Sequence, residues 1–310
     1  MRKKLSFQFC GLRVLAALLV CFACLLVSSC TQDEIVPTPI EESYMSDVSD
    51  SDNIDVTTRA AVVPSGWSTV TTGNGTALYR KGAEDTYVVM ANLKTGAKIG
   101  MVYDTPSSGQ GTSSAKFPKK LLTTWNTYGT FFAIANSLYF DTGSGNPCDF
   151  PFPFKQGGIF ETLGDGGSSS DKLKEKAALN VYSNYADIVT IGYDPMTTIL
   201  MVTDKSYAGF QGSITNANNA GTNTGRTLVG LKDEDGNGTR EVVYLLVASS
   251  KTQSVAYNIL TQDFGCSKVI TFDGGGSTQL MCNGVSKVVS SDPTPRTVPI
   301  AIVIKENGVN

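Results

Sequence analysis

The sequence predicts an α+β fold, a strand-rich single domain of mixed or antiparallel twisted sheets with few helices. Three observations carry this. Short stretches rich in Val, Ile, Thr and aromatic residues recur between residues 77 and 305, each bounded by Gly, Asn, Asp or Ser. Only one segment carries clear helix start and stop signals. The part after residue 60, about 250 residues, suits one large unit, and no repeat of solenoid or propeller period is visible.

Strands are expected at Ala77–Arg80, Thr86–Asn92, Lys98–Tyr103, Thr130–Ala135, Ala186–Tyr193, Thr198–Asp204, Thr227–Leu231, Glu241–Val247, Lys268–Phe272, Gln279–Cys282 and Pro299–Lys305. The one strong helix runs over Thr252–Phe264. Ser249-Ser250 can cap it, Val255, Ile259 and Leu260 share one side, and Gly265 stops it. Leu121–Tyr128 is a weaker helix, and Lys172–Asn180 a short helical turn or a loop.

The chain begins with a different logic. Arg2, Lys3, Lys4 and Arg13 precede the apolar run Val14–Val27, which ends in Leu26-Val27-Ser28-Ser29-Cys30. That layout is a secretory signal over residues 1–29, and Cys30 at the cleavage point resembles the lipobox of bacterial lipoproteins. Acylation of Cys30 would anchor the mature chain to a membrane. Residues 30–60 carry eight acidic side chains against Arg59 alone, with Pro37 and Pro39, and are expected to be a disordered tether. The domain is then 61–310. The signal carries four positive charges and the tether a net seven negative, so a whole-chain charge of −3 leaves the domain neutral. It has no basic footprint for nucleic acid. Acids directly after Cys30 (Asp33, Glu34) resemble a surface-export signal. The expected location is the outer membrane, exposed at the cell surface, with the periplasm as the alternative.

The chain has no histidine. Ser-His-Asp and Cys-His catalysis are therefore absent, as are His-bearing zinc sites. Three cysteines remain after Cys30, namely Cys148, Cys266 and Cys282. One bridge is possible, with Cys266–Cys282 favoured because they flank a tight turn. Acid-base work falls to carboxylates, Tyr, Lys or Cys. Asp233-Glu234-Asp235-Gly236-Asn237-Gly238 matches the first half of a calcium loop, but Tyr244 stands at the twelfth position in place of a Glu, and strands flank it. A hairpin turn is the expectation there. No cofactor or metal is expected, with calcium left open.

The strongest local signal is Phe272-Asp273-Gly274-Gly275-Gly276-Ser277-Thr278, between two expected strands. Glycines let the backbone approach a ligand closely, and successive N–H groups can form an anion-binding nest. Ser277 and Thr278 add hydroxyls, and Asp273 a carboxylate. Asn136-Ser137-Leu138-Tyr139-Phe140 ends another strand, Arg226-Thr227-Leu228-Val229-Gly230 opens one, and Arg296-Thr297-Val298 precedes the last. In this order, with the Thr252–Phe264 helix ahead of the glycine turn, these blocks resemble the phosphodiester glycosidase family. The resemblance runs from roughly Phe131 to Ile304 and is densest from Arg226 onward. The family's Asn-Gly-Gly-Phe-Phe block falls on Asn136 to Phe140, with Ser137-Leu138 in place of two glycines. Its Asp-Gly-Gly-Gly-Ser block falls unaltered on Asp273 to Ser277. Thr297 stands where its late Arg-Pro-Val block has proline.

The resemblance implies hydrolysis of the glycosidic C1–O bond of sugar-1-phosphate diesters, of the N-acetylglucosamine-1-phospho-sugar type, releasing free sugar and a phosphomonoester. Asp273, Arg226 and Asn136 are the expected catalytic residues. Gly274, Gly275, Gly276, Ser277, Thr278, Arg296 and Thr227 are expected at the substrate and phosphate. The residues fit that chemistry by themselves. Arginines grip phosphate oxygens in pairs, and a good leaving group needs charge compensation more than protonation. Asp141 and Glu161 are candidates for a second carboxylate. Trp67, Trp125 and Phe150-Pro151-Phe152-Pro153-Phe154 form either a sugar-stacking wall or core packing. Leu138 would block or reshape the substrate's seat. The alternative function is therefore a non-catalytic surface lipoprotein that binds a phosphorylated glycan.

Overall fold

The computed structural model describes residues 63–143, 145–165, 176–190, 199–204 and 220–308. The expected signal, Cys30 and the tether lie outside the described residues, as do Tyr193, Thr198 and Lys172 at the ends of expected elements.

Among the described residues sixteen strands form three sheets, with every pairing antiparallel. The first runs β1 (Trp67–Gly73), β2 (Thr76–Lys81), β3 (Thr86–Asn92), β12 (Val242–Lys251), β11 (Thr224–Lys232), β13 (Lys268–Thr271). The second runs β7 (Ile159–Thr162), β6 (Phe154–Gln156), β10 (Ile199–Asp204), β8 (Lys176–Val181), β9 (Ala186–Val189). The third runs β15 (Val285–Val288), β14 (Leu280–Cys282), β5 (Ala133–Asn136), β16 (Ile300–Lys305), β4 (Lys98–Tyr103).

All three sheets contribute a face to one core. Val89, Leu245 and Ile270 come from the first, Leu179 and Met201 from the second, Ala135 and Ile302 from the third. The pattern on β12 explains its sequence. Val242 to Ala248 are all buried. Side chains alternate along a strand, so an unbroken apolar run needs cover on both faces. Val243, Leu245 and Val247 enter the shared core, while Val242, Tyr244, Leu246 and Ala248 enter a second one.

That second core lies under α2 (Gln253–Asn258), which continues as a wider turn through Asp263. A Cβ on Gly230 of β11 would stand 2.5 Å from Cys266 Sγ and 3.3 Å from Leu260 Cβ, so glycine there lets the helical segment settle on the sheet. On the third sheet's outer face, α1 (Leu122–Trp125) supplies Leu122 and Trp125 to Ile134, Met281 and Val303. Phe152 covers Leu200 and Val202 of the second sheet.

Several expectations change. The N-cap of α2 is Thr252, whose hydroxyl accepts the Val255 N–H at 3.3 Å, while Ser249 and Ser250 extend β12. Val255 is exposed, and Ala256, Ile259 and Leu260 take the buried side. Residues 176–180, expected as helix or loop, belong to β8, because six cross-strand pairs with β10 outweigh the local helix propensity. Strands β1, β6, β7 and β15 were not expected. β15 follows a two-residue Asn283-Gly284 hairpin with φ of 48° and 75°, the strongest short-range hairpin signal. No disulfide joins Cys266 to Cys282. Both are free and lie in different cores, and burial raises both thiol pKa values, that of Cys282 to about 11. Trp67, Trp125, Phe150, Phe152 and Phe154 are all buried, so they are core packing and form no sugar-stacking wall. Among the described residues no helix is long and apolar enough to cross a membrane.

Candidate active site

The site is built where the first and third sheets meet. β5 ends at Asn136, whose side chain is buried and makes three hydrogen bonds. Its Nδ2 donates to the Asp273 carbonyl at 2.6 Å. Its Oδ1 accepts from Thr227 Oγ1 at 2.8 Å and from the Gln279 N–H at 3.1 Å. The next residue, Ser137, accepts the Asp273 N–H at 2.8 Å. Asn136 thus ties β5, β11 and both ends of the glycine turn together.

Leu138 points away from this junction into the shared core, with 3% of its surface exposed. Leu138, at the second of the two glycine positions, therefore packs in the core.

The three glycines have separate reasons. Gly275 has φ of 60°, in the left-handed region that disfavours any side chain. A Cβ on Gly274 would stand 2.6 Å from the Gly225 carbonyl oxygen, and one on Gly276 would stand 2.1 Å from the Asp292 carboxylate. Gly225 is equally crowded, its added Cβ meeting the Gly275 carbonyl oxygen at 2.4 Å. Gly225 and Gly274 let backbone lie on backbone, and Gly276 leaves room for the Asp292 carboxylate, so the close approach they permit is within the protein itself. The Ser277 and Thr278 amides bond back to Gly274 and Gly275. Thr278 Oγ1 and Ser137 Oγ are buried without hydrogen-bond partners among the described residues.

Asp273 projects its carboxyl from this turn. Its Oδ1 accepts the Gly274 N–H at 3.0 Å, and Ser277 also bonds to it. Part of the residue reaches solvent, while protein atoms crowd the carboxyl from the other sides. Desolvation pushes its pKa up to about 6 against the pull of Ser277, the Arg296 charge and the Gly274 amide.

Arg296 lies beside it. Nε donates to Asp292 Oδ2 at 2.7 Å and Nη1 to Ser277 Oγ at 3.5 Å. The Ser290 hydroxyl locks this arm, donating to the Gly276 carbonyl at 2.6 Å and accepting the Arg296 N–H at 3.2 Å.

Arg226 behaves differently. It is 5% exposed, and its guanidinium donates to the carbonyls of Lys251 and Thr222 and to Gln253 Oε1, at 2.9–3.2 Å. Burial lowers its pKa, and Tyr139 acts in the opposite sense. It braces the start of β11, where the ladder to β12 shifts register.

The structure therefore brings together Asn136, Thr227, Asp273 to Thr278 and Arg296, with Arg226 one residue along the strand from Thr227. Asp141 and Glu161 lie among other partners. Asp141 accepts the Gly143 N–H, and Glu161 accepts from Gln110 and Tyr103. The carboxylate that does stand at the turn is Asp292, which sequence reading missed. Its signal was the i, i+4 spacing to Arg296, to which it is ion-paired at 2.7 Å. Gln279 was missed too; its amide holds the Arg296 carbonyl at 2.9 Å.

A sequence model of the phosphodiester glycosidase family matches residues 128–305, more than half of the 310-residue chain. A search of curated proteins finds no match. Among solved structures, the catalytic domain of zebrafish N-acetylglucosamine-1-phosphodiester alpha-N-acetylglucosaminidase, auto-inhibited by its pro-peptide, is similar at 16% identity. That likeness has a TM-score of 0.48 and covers 78% of this chain and 82% of that one. A hypothetical protein from Synechocystis is similar at 12% identity and a TM-score of 0.42, over 77% of this chain and 61% of that one. The Asn136, Arg226, Asp273 and Arg296 blocks all fall within the matched span, and the chain belongs to the phosphodiester glycosidase family.

Proposed function

We propose that the protein hydrolyses the glycosidic C1–O bond of sugar-1-phosphate diesters, such as N-acetylglucosamine-1-phospho-sugars, and releases free sugar and a phosphomonoester. The observation that carries this reading is the meeting of Asp273, Ser277 and Arg296 on one glycine turn. Asp273 is a carboxyl poised near neutrality, and Arg296 keeps N–H donors without a protein partner among the described residues.

In this reaction Asp273, ionised, draws a proton from water as the water oxygen bonds to C1, or bonds to C1 itself and forms a glycosyl ester that a water then hydrolyses to free sugar. The C1–O bond breaks with its electron pair passing to the phosphate. Arg296 and the amides of Gly275 and Gly276 meet the charge that grows on the phosphate oxygens. Donors fixed in place before the charge develops stabilise it without reorganisation. Arg226 and Asn136 act as braces: one fixes the start of β11, the other aligns the Asp273 main chain. Asp292 fixes Arg296. The enzyme would work outside the cell, held by a lipid on Cys30. Labelled palmitate retained by the wild type and lost in Cys30→Ser is the expected result, and equal labelling would refute the anchor.

The test of the reaction is product analysis with an α-N-acetylglucosaminyl-1-phospho-sugar diester. Free N-acetylglucosamine plus a sugar phosphate is expected, with loss of about 10²–10⁴ in rate for Asp273→Asn. Sugar-1-phosphate as product would instead mean cleavage on the far side of phosphorus and would refute the reading. Binding without turnover would favour a glycan-binding lipoprotein. Stability gives a second readout. The folded state holds the Asp273 proton more tightly than the unfolded chain, so stability falls as pH rises from about 4 to about 6. Asp273→Asn should thus raise Tm at about pH 7.5, reflecting a stabilisation of order 1–3 kcal/mol, and raise it little at about pH 4.

A further inference from the structure

The hairpin between β11 and β12 lies at the end of these strands opposite to Arg226, roughly 20 Å along β11. It reads Asp233-Glu234-Asp235-Gly236-Asn237-Gly238-Thr239-Arg240-Glu241. Oxygen-bearing residues occupy the first, third, fifth, seventh and ninth positions, and the sixth is a glycine with φ of 90°. Calcium loops use that alternation of ligands and a glycine at that place. The twelfth-position Glu of a helix-flanked loop is replaced here by Tyr244, which is buried in the second core.

Asp233, Asp235 and Glu241 each bring a carboxylate oxygen to within 4.8 Å of the others. Glu241 supplies the independent observation. Only 3% of it is exposed, and Oε1 accepts the N–H groups of Glu234 and Asp235 at 3.0 and 3.2 Å. Its Oε2 is buried with no hydrogen-bond partner among the described residues. An unpartnered carboxylate oxygen away from water is costly, and a bound cation removes the cost.

The charges point the same way. Lys232 pairs with Glu234 at 2.5 Å, and Arg240 pairs with Asp187 at 3.1 Å. Among the described residues Lys94 alone is ion-paired to the triad, with Nζ 2.7 Å from Asp235 Oδ2, and most of its side chain is exposed. Three carboxylates facing one ammonium leave an excess of two negative charges. The loop backbone is already wound around the first aspartate, which accepts the N–H groups of Gly236, Asn237 and Gly238.

We propose that this hairpin is a calcium site, with carboxylate oxygens from Asp233, Asp235 and Glu241, the Asn237 amide oxygen and the Thr239 carbonyl as ligands, and that Lys94 stands in for the ion when calcium is scarce. The site clamps the far ends of β3, β11 and β12, because the Glu241 carbonyl also accepts the Leu93 N–H at 2.8 Å. Its role is to hold the first sheet; it is remote from Asp273.

The experiment is calcium titration of purified, chelator-treated protein, read by calorimetry and by Tm. Saturable binding at or below about 10⁻³ M, with a rise in Tm, is expected. Asp233→Asn and Glu241→Gln should each weaken binding at least about ten-fold by removing a charged ligand. If Glu241→Gln fails to fold, exposed Asp235→Asn serves in its place. Lys94→Met should bind calcium several-fold more tightly and show a larger calcium-dependent rise in Tm, because it removes the competing cation. No heat and no Tm change up to about 10 mM calcium, a level above that needed to fill extracellular sites, would overturn the proposal. So would unchanged binding in the Asp233→Asn and Asp235→Asn variants.

Discussion

The Asp273–Thr278 turn and the Asp233–Gly238 turn are both Asp-led and glycine-bearing, yet their glycines answer different physical demands. At Gly236 and Gly238, φ is 75° and 90°, and an added Cβ would meet nothing within 4 Å. Those glycines are needed only for backbone angle. At Gly274 and Gly276 an added Cβ would strike the Gly225 carbonyl and the Asp292 carboxylate. Those glycines are needed because protein is pressed against protein. A turn of the first kind can stand alone on a surface. A turn of the second kind exists only when other segments have been brought to it, and that is what a site assembled from four distant blocks requires.

The largest test of this contrast sets Gly225→Ala against Gly236→Ala. The first collides with main chain at 2.4 Å. It should destabilise by about 2–3 kcal/mol and abolish turnover, because the glycine turn must shift. The second should cost only about 1–2 kcal/mol, the penalty of a left-handed alanine, and leave turnover per folded molecule unchanged. Urea melts and initial rates measure both, and equal effects would erase the distinction. A smaller effect concerns charge. Arg296 draws the Asp273 pKa downward, so Arg296→Gln should move the acid limb of the rate profile, expected near pH 6, to higher pH. A limb that stays in place would separate Arg296 from Asp273.

The elements legible in the sequence were those whose pattern is self-contained. Thr86–Asn92 and Lys98–Tyr103 form strands at the expected residues. β8 was not legible, because its Lys-Ala-Ala-Leu start has a helical composition and only the partner strand decides it. The same division holds in the site. The Asp273 turn stood out as a run of glycines. Asp292 did not, because its neighbour Gly276 lies sixteen positions away and only the fold puts them together. The direction of Leu138 was not legible for a related reason. Sequence gives its place in the block, and only packing gives its direction, which is inward.

One amide side chain fixes when this protein becomes competent. Asn136 bonds to Thr227 of the first sheet, to the Asp273 carbonyl and to the Gln279 N–H, over separations of 91, 137 and 143 residues. Bringing groups so distant in sequence together carries a loop-closure cost, and these contacts are expected to close late in folding. A chain that has collapsed without docking its third sheet onto its first would hold every sheet-forming residue and no aligned carboxyl. On the proposed function, turnover is thus expected of the finished molecule alone, and its recovery during refolding would time the last step of assembly.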